Sequence, residues 1–509
     1  MGDGFDERRL LSSFWGDYLS FRVDGRSLRA LRDPSGRLPC FYALTKGAIY
    51  LASDVSLLLL ALRKVPAVDW DSLARLLYIN DLPEETTALD GVRELLPGHM
   101  LEFRGDHAKT APVWSPWDYV AQGDGPTPRQ LAHCVRQCVT TIAAPFKSVL
   151  IGVSGGLDSS IVTTCLTNSG PALHPITIST DDPHGDEAEF AQILCDHLNL
   201  PLIREAYRLD AVNIDRSSVS HLPRPGGRAQ LQAYDAAILG AARRTNAQAF
   251  LSGVGGDNVF YYTNSARPLV DRYLDHGPGL HLFTTLLDIC RLTGCSTGEA
   301  IRDALAVPRG AEPSKYRWRV DARFLHADRV AELSRSPLSH PWLVGPATSR
   351  PGRAAHIAMI LRAQHYLDAQ DRSLPLSFLQ PLMAQPIMEM CLAIPSWRAI
   401  GGGRDRAVAR KAFASSLPAR INERRVKGGP DGFAHHIIRA NLHAIRERLL
   451  NGVLAAQQVL DLTALETALH EDALTRGTDY VRILLLLDTE AWARHWIARR
   501  DAEASLMGD

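Results

Sequence analysis

The stretch from Lys147 to Val162, KSVLIGVSGGLDSSIV, limits the fold more than any other part of the sequence. An apolar run breaks into Ser-Gly-Gly, and a second apolar run follows Asp158. A strand, a tight turn and a helix in that order open a parallel α/β sheet. The alternation continues with strand HPITIST (174–180), helix DEAEFAQILCDHLN (186–199), strand PLIREA (201–206), a helix over 229–244 and strand AFLSGV (249–254). This spacing predicts a doubly wound parallel sheet with helices on both faces. A helix over 130–144 leads into it, and beyond about 265 the chain reads as largely helical, with Pro and Gly interruptions and no internal repeat.

The first 115 or so residues follow another pattern. The runs YLSFRV, SLRALRD, CFYALT, AIYLAS and HMLEF are separated by turn residues, which predicts an antiparallel β-rich module. DWDSLARLLYI (69–79) has helical spacing with Asp69 or Asp71 as its cap. The polar stretch VAQGDGPTPRQ (120–130) serves as linker, dividing the chain into 1–120 and 121–509. Basic and acidic residues number 56 each, so no general attraction to nucleic acid or an anionic membrane is expected. The eight cysteines contain no CxxC pair, which points to free thiols in a reducing cytosol rather than a zinc site or disulfide framework. VSLLLLALR (55–63) and RILLLLDTEAW (482–492) are the most apolar runs, and both fall short of the roughly 20 residues a membrane span needs. The acidic, polar start carries no secretory signal. A soluble cytoplasmic protein is expected.

The glycine loop has a definite chemistry. Gly155 and Gly156 let the backbone turn and approach a ligand. The helix starting near Asp158 aims N–H groups and its dipole at the loop. Ser154, Ser159 and Ser160 add hydroxyls, and Asp158 offers a hard oxygen for Mg²⁺. Two glycines alone would be an ordinary strand–turn junction. The complete string is more specific: it resembles the SGGxDS signature of the ATP pyrophosphatase (PP-loop) families, which split ATP between the α- and β-phosphates and adenylate an oxygen. FLSGVGGDNVFYY (250–262) repeats strand, glycine loop and Asp. Loops at the carboxyl ends of neighbouring strands converge, so Asp158 and Asp257 are expected to share one Mg²⁺. Ser252, Gly253 and Gly255 would complete the ATP site.

The chain as a whole resembles the asparagine synthetase B family. Residues 15–59 look like the second half of that family's N-terminal glutaminase domain, and LDGVRELLPGHMLEF (89–103) looks like its end. SGGLDSS, GDEAEFA (185–191), SGVGGD, PLMAQPIMEMCLAIP (381–395) and RRVKGG (424–429) follow in the family's order. Two departures matter. The family's glutaminase needs a cysteine at position 2, where this chain has Gly2, and its first cysteine is Cys40. The N-terminal module is therefore expected to be a truncated glutaminase-like scaffold without a nucleophile. Between the glycines of the second loop the family carries Glu in asparagine synthetases and Tyr in β-lactam synthetases; here the residue is Val254. That loop, with QPLMAQPIMEMCLAIPSW (380–397) and GGGRDRAVARKAFASSLP (401–418), looks most like the lasso-peptide macrolactam cyclases.

The resemblance implies ATP and Mg²⁺, and adenylation of an Asp or Glu side chain in a precursor peptide. The peptide's N-terminal amine would then close the ring. Lys427 would be the catalytic lysine. A separate leader peptidase and a leader-recognition protein are the implied partners, with no nucleic acid or membrane. His356 is a candidate base or a packed helix residue. Asp186 and Glu187 either approach the site or cap a helix, and Tyr261 and Tyr262 line a peptide pocket or belong to the core. The alternatives are a small-molecule amide or β-lactam synthetase and a non-catalytic peptide-binding scaffold.

Overall fold

The computed structural model describes residues 7–507 apart from 121–122, 168, 181–186, 308–315, 372–373, 426–427, 430 and 471–478. In the N-terminal segment, short loops close antiparallel hairpins, and pairings between strands distant in sequence join these into sheets. β1 (Leu19–Asp24), β2 (Ser27–Arg32), β3 (Phe41–Thr45), β4 (Ala48–Ala52), β5 (Val92–Glu94), β6 (His99–Arg104) and β7 (His107–Pro112) form two antiparallel sheets, ordered β1-β2-β6-β7 and β4-β3-β5. The hairpins β1–β2, β3–β4 and β6–β7 each close through a two-residue loop whose glycine, Gly25, Gly47 or Gly105, has positive φ. β5 and β7 go beyond the sequence expectation. One has three residues and the other is polar, so neither shows apolar alternation; each forms because β3 or β6 offers it backbone partners. The helix Trp70–Ile79 starts at Asp69, whose carboxylate accepts from the N–H groups of Asp71 and Ser72.

A capping box between Thr127 and Gln130, with proline in the first turn, opens the helix Pro128–Ala143. It leads into β8 (Ser148–Gly152), β9 (Ala172–Ser179), β10 (Ile203–Ala206), β11 (Ala249–Leu251) and β12 (Ser377–Leu379), all parallel, in the order β10-β9-β8-β11-β12. The first strand thus lies in the middle of the sheet. The chain winds outward to β10, then returns to place β11 on the other side of β8. The order reverses between β8 and β11, and there the loops at the strand ends part and leave a crevice. β12 was not anticipated, because three residues after a long helical stretch carry no periodic signal.

The two sheet systems share one apolar core, in which Leu31, Phe41 and Leu73 pack in the same cluster as Val149, Ile151 and Trp492. A buried ion chain crosses the same junction. Arg32 donates to Glu94 at 2.8 Å, Glu94 accepts from Arg224 at 3.2 Å, and Arg224 meets Asp368 at 2.7 Å. Arg32 also donates to the carbonyls of Gly36, Leu38 and Leu95. All eight cysteines are free thiols. Among the described residues no helix is long and apolar enough to cross a membrane.

Removing one member of such a chain leaves its partners charged and buried. Glu94→Gln should therefore cost about 3–5 kcal/mol, read as a lower urea midpoint with unchanged circular dichroism of the folded protein.

Candidate active site

The crevice between β8 and β11 opens into a cleft of about 1000 Å³. Its floor is the first glycine loop. Gly155 turns with φ +63°, and a Cβ there would stand 2.2 Å from Phe190 Cβ and 2.5 Å from its carbonyl carbon, so only glycine fits. Gly156 caps the helix Leu157–Leu166 with no side-chain hydrogen bond, leaving the first-turn N–H groups to face the cleft. The loop is held by its own hydroxyls: Ser154 N donates to Ser159 Oγ at 3.3 Å, and Gly156 N donates to Ser154 Oγ at 3.3 Å.

The second loop lies directly against the first. Ser252 N donates to Leu379 O of β12 at 3.1 Å, which orients the turn that follows. A Cβ on Gly253 would come within 2.5 Å of Ser159 N, and one on Gly256 within 2.4 Å of Asp158 Cβ. Gly255 bends with φ +87° against Met383. Ser154, Gly156, Asp158 and Ser159 thus share the cleft with Ser252, Gly253, Gly255 and Asp257. Ser160 does not line it; it is fully buried within its helix, one residue past the turn that faces the ligand space.

Between the two carboxylates sits a residue to which the sequence reading gave no role. Arg406 Nη1 donates to Asp158 Oδ2 at 2.8 Å and also to Asp257 Oδ1, while its Nε donates to Asp405 Oδ1 at 3.0 Å. Burial opposes the charge on Arg406, but the three carboxylates outweigh it and hold the guanidinium protonated. Two carboxylates that share one guanidinium nitrogen are close enough to share a divalent cation, and two carboxylates with phosphate oxygens are an ordinary Mg²⁺ set. The residues therefore fit a magnesium nucleotide. Among the described lining residues, five arginines face four carboxylates, a balance suited to a polyanion.

The remaining candidates separate clearly. Glu187 does not cap a helix with its side chain; it lines the cleft, where Arg424 donates to it at 3.0 Å and Gly428 N at 3.2 Å. Arg424 also donates to Ser154 O at 3.1 Å and stacks 4.0 Å from the Phe190 ring centre, tying the RRVKGG segment to the first loop. Asp186 and Lys427 lie outside the described residues. Of the tyrosine pair, Tyr262 lines the cleft, with the Arg406 guanidinium 5.6 Å from its ring centre. Tyr261 belongs to the core: its φ of +59° turns it away, and its ring stacks on His356 at 4.8 Å. His356 also stays off the cleft. It is buried in the helix Pro351–Gln364 and its Nε2 donates to Val259 O at 2.8 Å, so no proton acceptor faces a substrate. The sequence reading missed Arg406, Arg424, Arg228 and Tyr366. The basic string GGGRDRAVARKAF was visible, but nothing in it singles out the arginine that reaches the carboxylates.

Residues 130–494 match the asparagine synthase family. The chain belongs to the asparagine synthase family. Its members are ATP-utilising, amide-forming synthetases, which accords with a cleft built on two glycine loops at the carboxyl ends of adjacent strands. Residues 10–114 match the glutamine amidotransferase domain. No curated protein matches the chain. Among solved structures, it is similar to NMN synthetase from Francisella tularensis, at 14% identity and a TM-score of 0.21, over 27% of this chain and 59% of that one. It is also similar to the NH3-dependent NAD synthetase from Campylobacter jejuni subsp. jejuni NCTC 11168, solved with nitrate ion, at 15% identity and a TM-score of 0.20, over 27% of this chain and 62% of that one. The chain thus spans about three fifths of the length of these two proteins.

His356 carries a test of its packing. Burial pushes its pKa down from 6.5 to about 4, so across that window the unfolded chain binds a proton that the folded chain refuses. The His356 contribution therefore makes the protein less stable as pH falls from 6.5 towards 4. Comparing urea midpoints, His356→Gln should gain on the wild type by up to about 1.4 kcal/mol per pH unit in that range and show no such trend above it.

Proposed function

We propose that this chain is an AMP-forming peptide cyclase acting in the cytoplasm. MgATP lies across the two glycine loops, with the Ser154 and Ser159 hydroxyls and the first-turn N–H groups on phosphate oxygens. Asp158 and Asp257 would hold Mg²⁺, which would offset phosphate charge there. Ser252, Gly253 and Gly255 stand beside the α-phosphate. An Asp or Glu side-chain carboxylate of a precursor peptide attacks the α-phosphorus, and pyrophosphate leaves. The peptide's N-terminal amine attacks the activated carbonyl, loses a proton and expels AMP, closing a macrolactam. Arg406 and Arg424 supply fixed positive charge beside the leaving groups, and Lys427 keeps the stabilising role that the sequence resemblance implies.

The observation that carries the adenylation step is the pair of carboxylates on adjacent glycine loops meeting one cation. Three features favour a peptide substrate. The cleft volume of about 1000 Å³ lies at the upper end for small-molecule sites. Val254 and Tyr262 are 47% and 44% exposed, giving the cleft an apolar wall. Residue 254 brings no proton acceptor, and an α-amine needs little help: its pKa is near ~8, so an appreciable fraction of it is neutral at pH 7.5. Positioning then does most of the work, worth up to roughly 7–11 kcal/mol in ideal cases. Cys40, the first cysteine, is fully buried with its thiol pushed up to about 11 by that burial, so it offers no glutaminase nucleophile. The nitrogen comes from the substrate itself. A separate leader peptidase and a leader-recognition protein would supply the trimmed precursor.

The test incubates the full chain with ATP, Mg²⁺ and a leaderless precursor peptide. The expected products are a peptide lighter by one water, AMP and pyrophosphate. Asp158→Asn should cut turnover by about 10²–10³-fold with the circular dichroism of the folded protein unchanged. Formation of ADP, or ATP–pyrophosphate exchange driven by a free amino acid with no peptide product, would overturn the reading in favour of another reaction; the second outcome would mark a small-molecule amide synthetase.

A further inference from the structure

The cleft arginines are not equivalent. Arg406 meets Asp158, Asp257 and Asp405; Arg410 meets Asp405; Arg424 meets Glu187. Arg425 is exposed to water. Arg228 differs from all of these: it is half-buried, it lines the cleft, and among the described residues it meets no carboxylate within ion-pair distance. Its guanidinium rests instead on Tyr366, with Nη2 donating to the phenol oxygen at 3.1 Å and the ring centre 5.5 Å away, while the same phenol also meets the Asp81 carboxylate. A half-buried cation whose direct partner is a neutral phenol, with the nearest carboxylate one residue further off, gains when an anion arrives within hydrogen-bond distance. The planar fork of a guanidinium fits a carboxylate or a phosphate edge through two parallel hydrogen bonds.

The pair is also rigidly mounted. Arg228 N donates to Ser218 Oγ at 3.0 Å, and the buried carboxylate of Asp488 accepts from Ser217 Oγ at 2.6 Å and Ser218 N at 2.8 Å. Gly227 passes so close to Asp488 that a Cβ would stand 2.3 Å from its Oδ1. Four residues before Arg228, Arg224 is clamped by Glu94 and Asp368, and Asp368 lies two residues beyond Tyr366. Both members of the pair therefore hang on the ion chain that reaches into the N-terminal module. A site so fixed spends little entropy on ordering when its ligand binds.

We propose that Arg228, positioned by Tyr366, forms an oxyanion subsite, distinct from the two glycine loops, that binds a carboxylate or phosphate group of a substrate held in the cleft. The subsite deepens the cyclase reading and rests on it only for the identity of that substrate. A carboxylate would belong to the acyl donor, a phosphate to ATP, and the two sources are separable by experiment.

Binding to the full chain would be measured by calorimetry with two probes, MgATP and succinate, in wild type, Arg228→Met, Arg228→Lys and Tyr366→Phe. Arg228→Met should weaken one probe at least about tenfold and leave the other within about twofold. The probe affected names the source. Arg228→Lys should recover part of the loss, since lysine keeps the charge but not the fork. Tyr366→Phe, which removes one oxygen and conserves the ring, should weaken the same probe by a smaller factor and serves if Arg228→Met fails to fold. The proposal is overturned if folded variants bind both probes as wild type does, or if both probes weaken equally. No turnover is measured, so a failed cyclisation assay leaves this result standing.

Discussion

The parallel pairing of β11 on β8, Ala249 with Val149 through Leu251 with Ile151, is the contact on which the rest of the site depends. It reverses the direction in which the sheet grows and sets two glycine loops side by side at the carboxyl ends of adjacent strands. Three glycines then let the backbones meet: Gly155 against Phe190, Gly253 against Ser159 and Gly256 against Asp158. Any side chain at Gly253 or Gly256 would push the second loop off the first. The two carboxylates would then lose the common cation that they now share. Sheet topology and the absence of three Cβ atoms thus together create the charge geometry of the cleft.

Electrostatics accounts for the arrangement around that centre. Asp158 and Asp405, both buried, and the partly exposed Asp257 gather around one point, and without a cation among them they would repel one another. Arg406 provides it, buried and held protonated by the same three groups. The N-terminal module takes part by a longer route. It carries no exposed cysteine nucleophile among its described residues, yet through Arg32, Glu94, Arg224 and Asp368 it holds the wall of the cleft opposite in sequence to the loops. The segment that matches the glutamine amidotransferase domain is thus joined to the synthetase segment by a buried ion chain.

Much of this was legible in the chain. β8, β9, β10 and β11 fall where apolar runs are bounded by turn residues, and the first-module strands fall between DG, TKG and PG punctuation. The two glycine loops and their carboxylates were visible as strings. β12 was not, because a three-residue strand is stabilised only by the edge it joins. Arg406 and Arg228 were not, because a chain with many arginines gives no local sign of which one will be buried beside a carboxylate and which beside a phenol. Tyr261 and Tyr262 are adjacent and alike in sequence, and a positive φ at the first sends one into the core and the other into the cleft.

The sequence by itself determined the alternating strand and helix order and the strand–glycine loop–carboxylate build of both loops, because each of these rests on residues a few positions apart. Only the tertiary structure decided which groups face each other: Arg406 between Asp158 and Asp257, Glu187 under Arg424, Arg228 on Tyr366, His356 sealed behind Val259. These pairs are separated by tens to hundreds of residues. Their partners are set by how the sheet winds and by what each buried charge must find once water is excluded, and no local pattern encodes that choice.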